Sequence, residues 1–388
     1  MPITYLDNAA SSWPKPPEVK LAMAEVIEDY AANPGRGGHT LAMRAGKVLF
    51  QTRAQLSRLF GITNPNDLFF YMNATQALNQ AIKGFLQPGD HVVTSFIEHN
   101  SVRRPLEYLR RTKGVQISYV QPREDQLFYT ADFVKEIRPS TKLIVVSHAS
   151  NVTGVILPIE EIGSEAGKRN ISFLVDASQT AGVVPIDVEK MGIDMLAFPG
   201  HKGLYGPQGT GGLYVRNTID LEPLIHGGTG SQSESVDQPV ARPDRYESGT
   251  VNTVGLAGLL AGVTFVLEKG TEQIFQHEWK LAKRTMDGLK EISGVEIYGP
   301  DIDVERVGVV SFNIKGVDAT EVSFILDQEY GIATRSGYHC SPLGHQAVGT
   351  EKRGAIRASF GMFNTEEDAQ KLIQAIEEIS AAYAAGEA

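Results

Sequence analysis

Lys202 lies in Phe198-Pro199-Gly200-His201-Lys202-Gly203-Leu204-Tyr205-Gly206-Pro207, straight after the mostly apolar run Ile193–Phe198. Lysine is among the residues least often buried, so one placed in a tight bend at the end of a buried strand calls for a reason. In a dry pocket the amine gives up its proton more readily, and the neutral form can attack an aldehyde to give a Schiff base. Holding a phosphate or shaping the turn are the simpler uses. Cys340 is the only cysteine, which excludes an intramolecular disulfide. A lone cysteine is either a small buried hydrophobe or a reactive thiol.

Other polar residues stand where strand-like runs end. Asn73-Ala74-Thr75-Gln76 follows Leu68–Met72 and opens a helix, whose free N–H groups suit a phosphate or an ordinary cap. Glu98-His99-Asn100-Ser101 follows His91–Phe96, and His99 is able to stack on an aromatic ring. Asn151, after Lys142–Ser147, is a donor to a phenolate or carboxylate, or else a turn residue. Asp176-Ala177-Ser178-Gln179 follows Ile171–Val175. A carboxylate there needs a partner to offset desolvation; a protonated pyridine nitrogen is one, an N-cap role the alternative. Ligands of parallel sheets bind at the carboxyl ends of the strands. A phosphate cradle, a stacking ring, a donor, a pyridinium partner and an amine at successive strand ends make up a pyridoxal phosphate pocket.

The elements that must carry these residues follow from pattern. Seven strand-like runs (the five above, with Val115–Val120 and Gly211–Val215) alternate with helical stretches such as Ala74–Phe85 and Ile159–Lys168. Short apolar strands between helices predict an α/β fold with a mostly parallel seven-stranded sheet covered on both faces. Helices are expected from Pro16 to about Tyr30 and on to about Phe60. The tail reads as a smaller α+β domain. Its expected elements are a long helical region from Val254 to about Ile292, a strand at Val307–Ile314, a helix near Thr320–Leu326, the loop of Cys340, a strand near Gly354–Ser359 and a final helix from Thr365. The division expected is 15–255 for the large domain, with 1–14 and 256–388 forming the small one. The 388 residues suffice for two domains.

Composition narrows the function classes. The chain is 42% hydrophobic and 21% charged, with a net charge of −10, which argues against nucleic acid and against an anionic membrane surface. The longest apolar run, Gly255–Leu267, falls short of the roughly 20 residues that span a bilayer, and no signal-like N-terminus is present. A cytoplasmic protein is expected.

The ordered motifs resemble those of the pyridoxal phosphate-dependent cysteine desulfurases of the class V aminotransferase superfamily, in the sulfur-mobilisation and selenocysteine-lyase-like branch. They include Tyr5-Leu6-Asp7-Asn8-Ala9-Ala10, Arg36-Gly37-Gly38-His39-Thr40, Asn73-Ala74-Thr75-Gln76-Ala77, Glu98-His99-Asn100-Ser101 and Ser150-Asn151-Val152-Thr153-Gly154. Asp176-Ala177-Ser178-Gln179, Gly200-His201-Lys202, Glu247-Ser248-Gly249-Thr250-Val251-Asn252-Thr253, Arg335-Ser336-Gly337-Tyr338-His339-Cys340 and Arg357-Ala358-Ser359 complete the set. The resemblance implies the fold type I architecture of pyridoxal phosphate-dependent transferases. By it, Lys202 holds the cofactor as a Schiff base, Asp176 pairs with the ring nitrogen, Gln179 touches the ring oxygen and His99 stacks on the ring. Ala74, Thr75 and His201 hold the phosphate. Gly249 and Thr250 reach the cofactor of a second subunit, which implies a homodimer. Asn151 and Arg357 hold the substrate carboxylate, and Cys340 accepts sulfur. Pro199 departs from the serine common in the family, and the loop Cys340-Ser341-Pro342-Leu343-Gly344-His345 differs from that of the longer-studied members.

The expected reaction converts L-cysteine to L-alanine and leaves a persulfide on Cys340 for a sulfur-acceptor protein, with iron–sulfur cluster assembly among the pathways it would suit. His99, Lys202 and Cys340 are the catalytic residues, and no metal is expected. The thiolate is the form that reacts, and His339, His345 and Arg335 are its charged or chargeable neighbours in sequence. The loop has no apolar period and is expected to move. Selenocysteine lyase, cysteine-sulfinate desulfinase or another class V activity is the alternative chemistry, and a non-catalytic sulfur-carrier partner on the same fold is the alternative class.

Overall fold

Strands in the chain are short because each apolar run is closed by a turn or by a polar residue that caps the next helix. The computed structural model describes residues 3–35 and 37–386, so Arg36 of the glycine-rich motif lies outside the described residues. β1 (Thr4–Tyr5) leads to α1 (Pro17–Asp29) and α2 (Thr40–Phe60). There follow β2 (Leu68–Tyr71), α3 (Ala74–Phe85), β3 (His91–Ser95), α4 (Asn100–Lys113), β4 (Gln116–Val120), α5 (Thr130–Lys135), β5 (Thr141–Ser147), α6 (Ile159–Gly167), β6 (Ser172–Asp176), β7 (Met195–Pro199) and β8 (Gly211–Val215). The rest comprises α7 (Thr253–Lys269), α8 (Thr271–Lys290), β9 (Val295–Tyr298), β10 (Val309–Ile314), α9 (Ala319–Tyr330), β11 (Ile332–Ala333), β12 (Arg335–Gly337), α10 (Pro342–Ala347), β13 (Ala355–Ser359) and α11 (Glu366–Ala385).

The large sheet has the order β2-β8-β7-β6-β5-β3-β4. β8 runs antiparallel to both neighbours and the other pairings are parallel. The carboxyl ends of β2, β3, β5, β6 and β7 therefore share one edge, where ligands of such sheets bind. Side-chain alternation sends Phe173 and Val175 of β6 into one apolar layer and Leu174 into the other. Rings such as Phe173 and Phe198 are fully buried, and truncating one to alanine costs about 3–5 kcal/mol.

The smaller sheet, β12-β13-β10-β9, is antiparallel throughout. Its core is built by Phe312, Ile356 and Ile376. The helical region expected from Val254 to Ile292 is two helices that bend by 83° at Gly270. Gly270 takes φ +83°, a left-handed value that glycine adopts without a Cβ penalty. No single helix among the described residues is long and apolar enough to cross a membrane. Leu256, Leu259 and Val263 of α7 sit in the same core as Phe60 and Phe173, so a division at 255/256 cuts a helix that packs with the large sheet. Sequence pattern missed β9, β12 and α10. β12 is Arg-Ser-Gly and α10 has six residues, so neither carries a full period of apolar positions.

Candidate active site

Lys202 is placed by the turn after β7. Gly200 N–H donates to the Thr210 carbonyl at 2.8 Å, Gly206 N–H to the Gly200 carbonyl at 2.8 Å, and Tyr205 N–H to the Lys202 carbonyl at 2.8 Å. Gly203 is required there, since a Cβ would lie 2.6 Å from the Ala181 carbonyl oxygen. The Lys202 amine is brought down to about 8, first by burial and then by the positive charge of Arg357, with Asp176 acting in the opposite direction. The neutral amine is therefore far more populated near physiological pH than in a solvated lysine.

A cavity of about 150 Å³ opens at this edge of the sheet. Its wall includes Ala74, Thr75, His99, Asn151, Asp176, Gln179, His201 and Lys202, eight residues that sequence reasoning brought together. A larger open groove of about 950 Å³ between α5 and α6 holds none of these eight.

Each wall residue has a local reason for its position. Asn73 caps α3 by accepting from Gln76 N–H at 2.9 Å, which leaves the first N–H groups of the helix, those of Ala74 and Thr75, free for an anion. Thr75 Oγ1 lies 2.8 Å from Ser101 Oγ. His99 Nδ1 accepts from Ser101 N–H at 3.0 Å, which fixes the ring proton on Nε2. Burial, followed by Lys202 and Arg335, lowers His99 to about 4, so the ring is neutral. Behind it, buried Glu98 accepts from Ser95 Oγ, from Ser147 N–H at 2.9 Å and from Ser147 Oγ at 2.8 Å, tying the ends of β3 and β5 together.

Asp176 ends β6 and is 3% exposed. Its Oδ1 accepts from Ser178 N–H at 2.9 Å and Ser178 Oγ at 2.5 Å. Burial raises its pKa, against the pull of the Ser178 bonds and of Lys202. A positive group at Oδ2 would restore the carboxylate. Across the cavity, His201 Nδ1 is buried without a hydrogen-bond partner, and burial with Lys202 and Lys15 lowers it to about 4. A helix N-terminus with an unpaired imidazole nitrogen, a carboxylate and an amine around one cavity fit pyridoxal phosphate: phosphate, protonated ring nitrogen and aldehyde respectively.

Arg357 and Cys340 do not line the cavity but adjoin it through Asn151. Arg357 is 1% exposed; Nη1 donates to the Asn151 carbonyl at 3.1 Å, Nη2 to Asp7 Oδ1 at 2.8 Å, and Nε has no partner. Cys340 is exposed. Its carbonyl accepts from Asn100 N–H at 2.8 Å, and Asn151 holds the residues on either side of it. The thiol loop, expected to move, carries these polar bonds, which an apolar period cannot reveal.

Four more residues named from the sequence lie away from the cavity wall. His339 and His345 turn inward, with ring centroids 5.2 Å apart. Burial, then Arg357, lowers His339 to about 2, and burial lowers His345 to about 4, so neither supplies positive charge to the thiol. Gly249 and Thr250 are exposed and lie off this cavity wall. Sequence reasoning also missed Asp7, Ser101, Ser178 and Lys15, whose Nζ donates to the His201 carbonyl at 2.8 Å. Ser178, two residues beyond Asp176, carried a readable signal, since short side chains bond at that spacing. Asp7 carried none, because its partner is 350 residues away.

The chain resembles proteins of known family over nearly its whole length. The aminotransferase class-V model matches residues 4–372. A probable cysteine desulfurase of Methanothermobacter thermautotrophicus is 36% identical over 97% of this chain and 94% of that protein. The cysteine desulfurase of Haloferax volcanii is 31% identical over 97% and 89% of the two chains. Among solved structures, the apo cysteine desulfurase of Thermococcus onnurineus NA1 superposes with a TM-score of 0.92 at 34% identity, covering 98% of this chain and 95% of that one. The S-sulfonic acid form of the Escherichia coli cysteine desulfurase CsdA gives 0.88 at 26% identity, covering 97% and 94%.

Proposed function

The chain belongs to the aminotransferase class-V family, and from that premise we propose that it is a cysteine desulfurase: it takes sulfur from L-cysteine onto Cys340 and releases L-alanine. The observation that carries this reading is one residue, Asn151, which lines the Lys202 cavity and bonds to both neighbours of the only thiol. This supports assigning amine and sulfur to one site.

Pyridoxal phosphate, held at Lys202, supplies when bound an electron sink for negative charge at the substrate Cα. The α3 N-terminus, Thr75 and His201 would hold its phosphate, Asp176 would keep its ring nitrogen protonated, Gln179 would serve the ring oxygen and neutral His99 the ring face. Asn151 and Arg357 orient the substrate carboxylate; a planar guanidinium suits that geometry. Lys202 would serve as the base that takes the Cα proton. The Cys340 thiolate then attacks the substrate sulfur. A sulfur–sulfur bond forms on Cys340, the substrate carbon–sulfur bond breaks with its electron pair passing to carbon, one proton completes the methyl group of alanine, and the proton held by Lys202 returns to Cα. The reaction needs no outside oxidant or reductant. The persulfide is passed to an acceptor protein's thiol.

The working unit is a homodimer on this reading. Gly249 and Thr250 are exposed, in a segment that also exposes Leu224, Ile225, Val236 and Val240, which suits contact with a second copy. Light scattering should give twice the mass of the chain.

Mass spectrometry of the Cys340 peptide after incubation with L-cysteine tests the reading. One added sulfur atom is expected, absent in Cys340→Ala. Sulfur release that survives in Cys340→Ala would sink it in favour of a thiol-independent lyase.

A further inference from the structure

Cys340 is held in an unfavourable backbone shape. His339 has φ +46° and Cys340 φ +60°, two successive side-chain-bearing residues in the left-handed region that only glycine occupies freely. Such geometry persists where surrounding bonds over-determine it, and here the bonds converge on Asn151. Asn151 Nδ2 donates to the His339 carbonyl at 2.6 Å, and Ser341 Oγ donates to Asn151 Oδ1 at 2.7 Å. The carboxamide thus grips the chain immediately before and immediately after the thiol-bearing residue.

The grip sits on a rigid base. Ser150 N–H donates to the Val155 carbonyl at 2.9 Å, and Ser150 Oγ accepts from Val152 and Thr153 N–H, both at 3.1 Å. Ser311 Oγ pins the Val152 carbonyl at 2.5 Å. Asn151 is 9% exposed and Ser341 is fully buried, so water does not compete for the pair. An amide nitrogen carries two hydrogens. One is spent on the His339 carbonyl, and the other remains for a ligand in the cavity that Asn151 lines.

We propose that Ser341 is a positioning residue for sulfur transfer: by fixing the plane of the Asn151 carboxamide, it sets the distance between the substrate carboxylate on one side of that amide and the Cys340 thiol on the other. The role rests on the reading of Asn151 as the carboxylate donor and Cys340 as the sulfur acceptor. Ser341 touches neither substrate nor cofactor. It acts through Asn151, and its loss leaves the amide free to rotate and the strained loop free to relax.

The test compares wild type with Ser341→Ala, with Ser341→Thr, which keeps a hydroxyl, as the conservative rescue, all as holoenzyme. In Ser341→Ala the first-turnover rate of persulfide formation on Cys340 should fall about ten- to a hundredfold, the scale of a misplacement of about 1 Å. Exchange of the L-alanine Cα hydrogen with D2O, which needs Lys202 but no thiol, should stay within about twofold at saturating L-alanine, where Arg357 still holds the carboxylate. Amide hydrogen exchange over residues 337–342 should speed up about two- to tenfold, the range for one lost hydrogen bond, with α11 unchanged as internal reference. Ser341→Thr should restore the persulfide rate. The proposal is overturned if Cα exchange and persulfide formation fall together, if neither falls, or if exchange over 337–342 is unaltered. A wild-type enzyme that forms no persulfide would defeat the functional reading instead, while the hydrogen-exchange comparison, which needs no substrate, still decides whether Ser341 holds the loop.

Discussion

Arg357 and Asp7 form an ion pair at 2.8 Å between β13 and the segment that follows β1. The arginine side chain is 1% exposed and the aspartate 22%, so the pair sits at the rim of the interior rather than in open solvent. Asp7→Asn keeps the shape and removes the counter-charge. Removing one partner of a fully buried pair costs about 3–5 kcal/mol; with solvent reaching Asp7, a loss of about 1–3 kcal/mol is expected. Urea denaturation of the two proteins checks this, and equal midpoints would show that Arg357 needs no partner.

The amine of Lys202 lies near 8. Its neutral fraction therefore rises from about one tenth at pH 7 to about nine tenths at pH 9. Chain stripped of cofactor should recapture pyridoxal phosphate about ninefold faster at pH 9 than at pH 7, followed by absorbance. A flat profile would mean that the amine is already neutral or is not the group that reacts.

Glu278 of α8 is 5% exposed, has no ion-pair partner among the described residues, and is raised by burial alone from 4.5 to about 8. Between those values the folded chain keeps a proton that the unfolded chain releases. Stability from this group is thus full below about pH 4.5 and is lost as pH rises through 8. Glu278→Gln cannot titrate, so its stability relative to wild type should improve by a few kcal/mol between pH 5 and pH 8.5. Denaturation at both values measures the difference; a constant offset would refute the assignment.

Ser178 donates to Asp176 through its backbone N–H and its hydroxyl. Ser178→Ala removes the hydroxyl bond and leaves the carboxylate less stabilised. Cofactor affinity should fall about tenfold, on the scale of one hydrogen bond to a charged group. Fluorescence titration with pyridoxal phosphate would expose an unchanged affinity and rule out the contribution.

What was legible in the sequence follows physical range. The seven strands of the large sheet announce themselves because a strand buried on both faces reads as a run of apolar residues, as in Leu143–Val146. The cavity residues were legible because each follows such a strand. Long-range partners were not. Nothing near Arg357 points to Asp7, and nothing near Asn151 points to Ser341. The break at Gly270 was hidden because apolar residues continue on both sides of it. Which neighbour of Cys340 faces the sulfur was not legible because sequence gives proximity without direction, and the fold turns both histidines inward.

The lone sulfhydryl at position 340 is exposed in a chain with no other. A maleimide dye therefore marks one atom per polypeptide with no background substitutions to engineer. On the dimeric reading, energy transfer between such dyes on two copies would measure how far apart the two thiols sit in the resting protein, since the dye consumes the thiol that the reaction needs.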